Sequence, residues 1–320
     1  MKTELFAPVG IRLAQALGIL PALSQSGRAE TNNSFDDSGQ DEVPVTSLAE
    51  GIGKVFIIAY KESTQFLEET LALEGLQCEV LRQEHQPEFR GFSPSYLCLL
   101  NHCEAWERAS QSAKLTLIVE ADFVPVIGLG RLPLPCDTHQ ENLGVSWLYL
   151  CAPQVYSVSQ EGYADGFSVA MVAYIVTPRS ARCLMDHAEN IKQKFGPSYS
   201  TWDSDVDGFL RERNFKNYIS FRNYGEHGGR PNPEHRQNKL SPSHRADILY
   251  GKLAFLPMYA IDEGGNNSYL KYIQVRLQAR LKGIARLLAG RFVRLKTLRN
   301  SRFPIRLLLF ALRRHLSLSL

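Results

Sequence analysis

Two stretches of this chain, Val55-Phe56-Ile57-Ile58-Ala59-Tyr60 and Leu115-Thr116-Leu117-Ile118-Val119, are apolar at almost every position. Successive side chains of a strand point to opposite faces, so a run without alternation must be covered on both. That demands helices packed on either side of a sheet, and the intervening residues supply them. Glu62 to Leu73 reads as a helix, followed by a strand at Cys78–Leu81. Tyr96 to Ser110 places Leu99, Cys103 and Trp106 at helical spacing. Further strands are expected at 145–151 and 169–176, with a helix from Pro178 to about Lys194. Alternating strands and helices predict an α/β layered fold with a mostly parallel central sheet flanked by helices.

Either side of that body the composition changes. Residues 24–50 are rich in Ser, Asn, Asp, Glu and Gly and nearly devoid of large apolar side chains, which predicts a disordered leader over 1–50. The folded domain is then expected over 51–262, with order beginning at Lys54, and a basic helical tail over 263–320. From Lys271 onward there are 13 Lys or Arg and no Asp or Glu, leaving 23 basic against 33 acidic residues before it. An acidic body argues against nucleic acid as the main partner. In the tail, Leu270, Ile273, Leu277, Leu281, Ile284, Leu288, Phe292 and Leu295 recur every three or four residues, with arginines over much of the remainder. Such a helix suits an anionic membrane surface, or else packs its apolar stripe on the body. Its longest uncharged apolar run, Leu307 to Leu312, is far too short to span a bilayer. Residues 5–23 are interrupted by Pro8, Arg12 and Pro21 and make a poor secretory signal. Six cysteines without a CxxC pair read as reduced thiols. These features together predict a cytoplasmic protein, peripheral on the inner face of a membrane.

The second apolar run ends directly in Glu120-Ala121-Asp122. In an extended segment, residues i and i+2 share a face, so both carboxylates can meet one cation. Ligand sites of open α/β sheets lie beyond the carboxyl ends of strands, which is where these acids sit. A pair of carboxylates suits a hard divalent ion, Mn2+ or Mg2+, better than zinc. Downstream, Tyr224-Gly225-Glu226-His227-Gly228-Gly229-Arg230-Pro231 forms a stiffly shaped loop whose glycines let backbone approach a ligand.

The order of motifs resembles glycosyltransferase family 25, the lipooligosaccharide galactosyltransferase-like group of lipopolysaccharide biosynthesis. Ser93-Pro94-Ser95-Tyr96-Leu97-Cys98-Leu99-Leu100-Asn101-His102 stands where that family has a cysteine-containing helix with a Ser-His pair. The strand ending Glu120-Ala121-Asp122 stands where it has Glu-Asp-Asp. Val55-Phe56-Ile57-Ile58 is similar to its first strand, and Ala173-Tyr174-Ile175-Val176 to a later one. The likeness runs over roughly residues 54–210. It departs at Ala121, at Asn101 in place of Ser, and at an arginine missing after the first strand.

The resemblance implies a GT-A-like domain that moves a hexose from a nucleotide-sugar, UDP-sugar favoured, to a glycan or glycolipid acceptor with inversion. It implies Glu120 and Asp122 as cation ligands, completed by a downstream histidine, His227 or His235, of which His227 is preferred. It also implies a catalytic base within Trp202-Asp203-Ser204-Asp205-Val206-Asp207, with Asp205 or Asp207 favoured, and Arg230 pairing with the diphosphate, while His102 is either a hydrogen-bonded core histidine or a residue shaping the donor pocket. The alternative is a non-catalytic relative that binds membranes or glycans.

Overall fold

The structure is a computed structural model that describes residues 46–317 apart from 85, 242 and 263. The expected leader therefore lies, up to residue 45, outside the described residues. Order begins earlier than the sequence suggested. Helical turn α1 (Leu48–Gly51) is closed by a capping box between Ser47 and Glu50, and Leu48 is fully buried.

Strand β1 (Ile52–Ala59) leads to helix α2 (Gln65–Leu73), strand β2 (Cys78–Arg82) and helix α3 (Pro94–Ser110). The Ser93 hydroxyl accepts from the Tyr96 amide at the start of α3, and Pro94 sits at its first position, where no N–H is needed. Then come β3 (Leu115–Glu120), β4 (Phe123–Pro125), β5 (Leu143–Trp147), β6 (Gln154–Val158), β7 (Ala164–Phe167) and β8 (Ala173–Val176). Helix α4 (Pro178–Phe195) starts at a Thr177–Ser180 capping box and stops at Gly196. Helix α5 (Trp202–Glu212), β9 (Lys216–Ile219), β10 (Gly225–His227) and the short α6 (Pro233–Gln237) follow. The chain closes with α7 (Tyr269–Leu288), α8 (Leu295–Asn300) and α9 (Pro304–Leu316).

Eight strands form one sheet in the order β2-β1-β3-β8-β5-β9-β7-β6, and β10 pairs with β4 in a separate ribbon. The sheet is mixed. β1 runs parallel to β2 and β3, and β5 to β9, while β8 lies antiparallel between β3 and β5. Cores on both faces explain the unbroken apolar runs. Phe56, Ile58, Leu99, Trp106, Ile118 and Tyr174 belong to one cluster, and Val55, Ile57, Leu117, Val119 and Phe123 to the other.

The described residues from Ser47 onward form one compact unit. The segment after 262 is thus part of the body, and it is built inside out relative to its sequence pattern. Along α7, Arg276, Ala279, Arg280 and Gly283 are buried, whereas Leu270, Ile273, Leu277 and Leu281 are exposed. The buried arginines all find partners. Arg276 pairs with Glu226 at 2.5 Å, Arg280 donates to the His315 and Ser317 carbonyls, and Arg314 of α9 grips Asp247 through both terminal nitrogens. No helix among the described residues is long and apolar enough to cross a membrane. All six cysteines are free thiols.

Candidate metal centre

At its carboxyl end β3 stays in the sheet through Glu120, whose N–H donates to the Val172 carbonyl at 2.8 Å. The Ala121 N–H donates to Ile58 at 2.9 Å, and the chain then turns at 121–122 before entering β4. Glu120 and Asp122 therefore converge across a turn rather than along one continuous strand. The β4–β10 ribbon sets His227 opposite Phe123, and the Gly228 N–H donates to the Asp122 carbonyl at 2.8 Å. Ligand atoms of Glu120, Asp122 and His227 consequently lie within 4.8 Å of one another. His227 Nε2 stands 2.9 Å from Asp122 Oδ2, and the two side chains keep 20% and 21% exposure, enough for a ligand to reach them.

Three polar atoms here, Asp122 Oδ1, His227 Nδ1 and the Tyr149 hydroxyl, are buried without a hydrogen-bond partner. Buried polar atoms are normally paired, so this group is short of a ligand. The charge balance agrees. Burial alone would raise the Asp122 carboxyl, but His227 and, more weakly, Arg245 hold it below the usual range. Burial opposes a charged His227, yet Asp122 and Glu120 push it up to about 9. A proton thus supplies the positive charge that two carboxylates call for. Carboxylate oxygens and one imidazole nitrogen fit Mn2+ or Mg2+, with open positions left for substrate oxygens.

Glu120 is held from behind by a directed chain of hydrogen bonds. The Trp106 indole N–H donates to the Tyr174 hydroxyl at 2.8 Å, so that hydroxyl turns its own proton to His102 Nδ1 at 2.7 Å. His102 then carries its proton on Nε2, which faces Glu120 Oε1 at 3.4 Å. The Cys98 thiol approaches the same oxygen at 3.9 Å, its proton retained because burial pushes its pKa up. Sulfur, imidazole and carboxylate lie close enough here to suggest a second cluster, but both His102 nitrogens are engaged. His102 is fully buried among the Trp106, Tyr174 and Trp202 rings. It is a hydrogen-bonded core histidine, one of the two readings the sequence left open, and it faces Glu120 from within the core.

The glycines of the His227 loop have steric reasons. A Cβ at Gly229 would overlap Asp122 Oδ2, one at Gly228 would press on Val124 and the Asp122 carbonyl, and one at Gly225 would enter the Phe123 ring. Glu226 next to His227 is fully buried. Its Oε1 accepts from the His227 and Ala246 amides, and its Oε2 takes the Arg276 guanidinium. Arg245 donates to the His227 carbonyl and to the Gly229 carbonyl, both at 2.8 Å. The tail helix thus reaches the centre through Arg276 and Glu226, a link invisible in the linear sequence.

The remaining candidates separate cleanly. His235 stands on α6 against Tyr199 and His244, away from the carboxylates. Asp207 turns to Arg211, Asn217 and Tyr156 and belongs to a structural network with Asp165. Asp205 is exposed on α5. Of the three acids in the run, Asp203, at the start of α5, is the one whose carboxyl feels Glu120. Burial first and Glu120 second push it up to about 7. The neighbouring Trp202 ring packs 5.0 Å from His102, which ties this helix start to the centre. Arg230 is exposed and lines a cleft of about 670 Å³ together with Arg245, Lys282, Arg286, His244 and Tyr259. Glu120, Asp122 and His227 do not line that cleft; it adjoins them through Arg245, whose guanidinium holds their loop. Asp203 lay within the candidate run without being favoured, Tyr174 and Glu226 stood in quoted motifs without a role, and Arg245 was missed. Only the paired glycines after His227 signalled in sequence that backbone closes over this point.

No protein-family model and no curated protein matches this chain. Among solved structures, the crystal structure of a glycosyltransferase involved in the glycosylation of the major capsid of PBCV-1 is similar, with a TM-score of 0.36 at 11% identity. The overlap covers 52% of this chain and 80% of that one.

Proposed function

We propose that this protein is a divalent-cation-dependent glycosyltransferase that moves a sugar from a nucleotide-sugar to a glycan hydroxyl. The observation that carries the reading is the meeting of Glu120, Asp122 and His227, with orphaned ligand atoms, beside a cleft rich in cations. Glu120, Asp122 and His227 would hold Mn2+ or Mg2+. A cation there supplies charge stabilisation to a diphosphate leaving group. Arg230 and Arg245 stand on the cleft side, where guanidinium groups suit phosphate oxygens.

Asp203 is the carboxylate we assign to proton removal from the acceptor hydroxyl. Unlike Asp207 it makes no ion pair, and a carboxyl poised near neutrality matches the requirement of a general base. Positive charge bound at Glu120 would favour its ionised form. Inversion by a single displacement follows from the family-25 resemblance. A nucleoside-diphosphate hexose, UDP first, follows from the family-25 resemblance of residues 54–210.

Calorimetric titration of UDP with and without Mn2+ tests this directly. Wild type should bind UDP in a Mn2+-dependent manner, and Glu120→Ala/Asp122→Ala should lose it while staying folded. A folded wild type that binds none of UDP, GDP or CMP would sink the proposal. Nucleotide binding without sugar transfer to any acceptor would leave a non-catalytic binding protein as the better description.

A further inference from the structure

We infer that the outward face of α7 is a docking surface for an anionic lipid bilayer. A helix on a protein in water normally turns its apolar stripe inward and its charges outward. This one does the reverse. Leu270 is 83% exposed, Ile273 58%, Leu277 49%, Leu281 56% and Leu288 82%, while Arg276 and Arg280 are buried beneath them. The inversion is locked, because Arg276 is tied to Glu226 and Arg280 to the carbonyls at the end of α9. Gly283 allows the close approach, since a Cβ there would strike Asp247. The leucines therefore cannot roll inward without stripping buried ion pairs, and their exposure is a built feature of the fold.

The charge around the stripe selects the occupant. No acidic residue follows Glu263, and nine of the 13 Lys and Arg after it are exposed, Lys271 and Lys282 on α7 itself. None of the nine makes an ion pair among the described residues. A second copy laid on this face would bring the same cations against one another, which opposes self-association. An anionic bilayer satisfies both demands: acyl chains take the leucines, and phosphates take the cations. At 20 residues, α7 is about 30 Å long and can lie flat at the interface. This inference does not depend on the transferase reading.

The test is co-sedimentation of the full chain with phosphatidylcholine vesicles, with and without phosphatidylglycerol. Wild type should sediment with the phosphatidylglycerol vesicles and be released by salt. Ile273→Gln/Leu277→Gln/Leu281→Gln changes exposed positions only, so its thermal midpoint should hold, while partitioning falls roughly a hundredfold. Arg294→Gln/Lys296→Gln/Arg299→Gln should lower it by roughly tenfold or more. Absence of wild-type binding, equal binding to neutral vesicles, or unchanged binding of the stripe variant would each overturn the inference. So would a wild-type dimer in solution that the stripe variant converts to monomer, because the stripe would then belong to a second copy.

Discussion

Asp122 and Asp247 are both carboxylates set beside a cationic side chain, and they are used in opposite ways. Asp247 has every direction filled: Arg314 on both oxygens, the Asn223 amide, and the Ile248 N–H. Its pKa is driven far down, with Arg314 overcoming burial. Asp122 meets His227 with one oxygen and leaves the other buried without a partner, on a side chain that stays 21% exposed. A closed pair fixes the C-terminal helices to the body, and an open pair leaves capacity for a ligand. Residue type alone does not distinguish the two; the count of occupied lone pairs does.

The sharpest way to break this comparison is to open the closed pair. Arg314→Met leaves Asp247 buried without its counter-charge, and should cost about 3–5 kcal/mol. Urea denaturation would measure it, and a loss below about 1 kcal/mol would mean the pair behaves like a surface bridge. At the open pair the same logic predicts a change in ligand affinity instead. Tyr174→Phe removes the proton that fixes the His102 tautomer, so Glu120 loses its orientation and Mn2+ affinity should drop about 10–100-fold. An unchanged Mn2+ isotherm would show that Glu120 needs no support from behind.

Acid separates the two regions in a third way. Burial, then the charges of His227, His235 and Arg245, push His244 down to about 4. The folded state therefore binds fewer protons there than the unfolded state does. Stability should decline as pH falls from about 6.5 toward 4, by about 3 kcal/mol, and His244→Gln should flatten that slope. Asp247 is shifted in the same direction but in a lower window, so its contribution is full above the ordinary carboxylate range. It is lost only as the pH falls further toward its depressed folded value. A pH series of thermal midpoints for wild type and His244→Gln checks both windows. The smallest expected effect is Gly229→Ala. Displacing Asp122 by one methyl should weaken Mn2+ binding roughly tenfold and leave the thermal midpoint within a few degrees.

Much of this architecture was already legible in the chain. Unbroken apolar runs at 55–60 and 115–119 required strands covered on both faces, and the helical spacing of Leu99, Cys103 and Trp106 located a long helix between them. The carboxylates of Glu120 and Asp122 could be singled out because they stand at the carboxyl end of a buried strand, where open α/β sheets bind ligands, and match a motif of the family they resemble. Short strands such as β7, β9 and β10 left little signal, because three or four residues carry no periodicity. The tail left its orientation open for a physical reason. Periodicity reports that a helix has an apolar and a charged face, but not which of them turns inward. That choice rests on Glu226 and Asp247, buried carboxylates 50 and 67 residues from the arginines they hold.

The same division runs through the centre. Local sequence determined the layered α/β class, the acidic end of β3 and the glycines that bring backbone over Asp122, because each depends on neighbours in the chain. Only the tertiary structure decided that His227 rather than His235 meets the carboxylates, and that Asp203 rather than Asp205 or Asp207 feels Glu120. It also decided that His102 acts through Glu120 from within the core. Those outcomes depend on how β10 pairs with β4 and how α5 packs on α3, and long-range pairing of that kind leaves no trace in local periodicity.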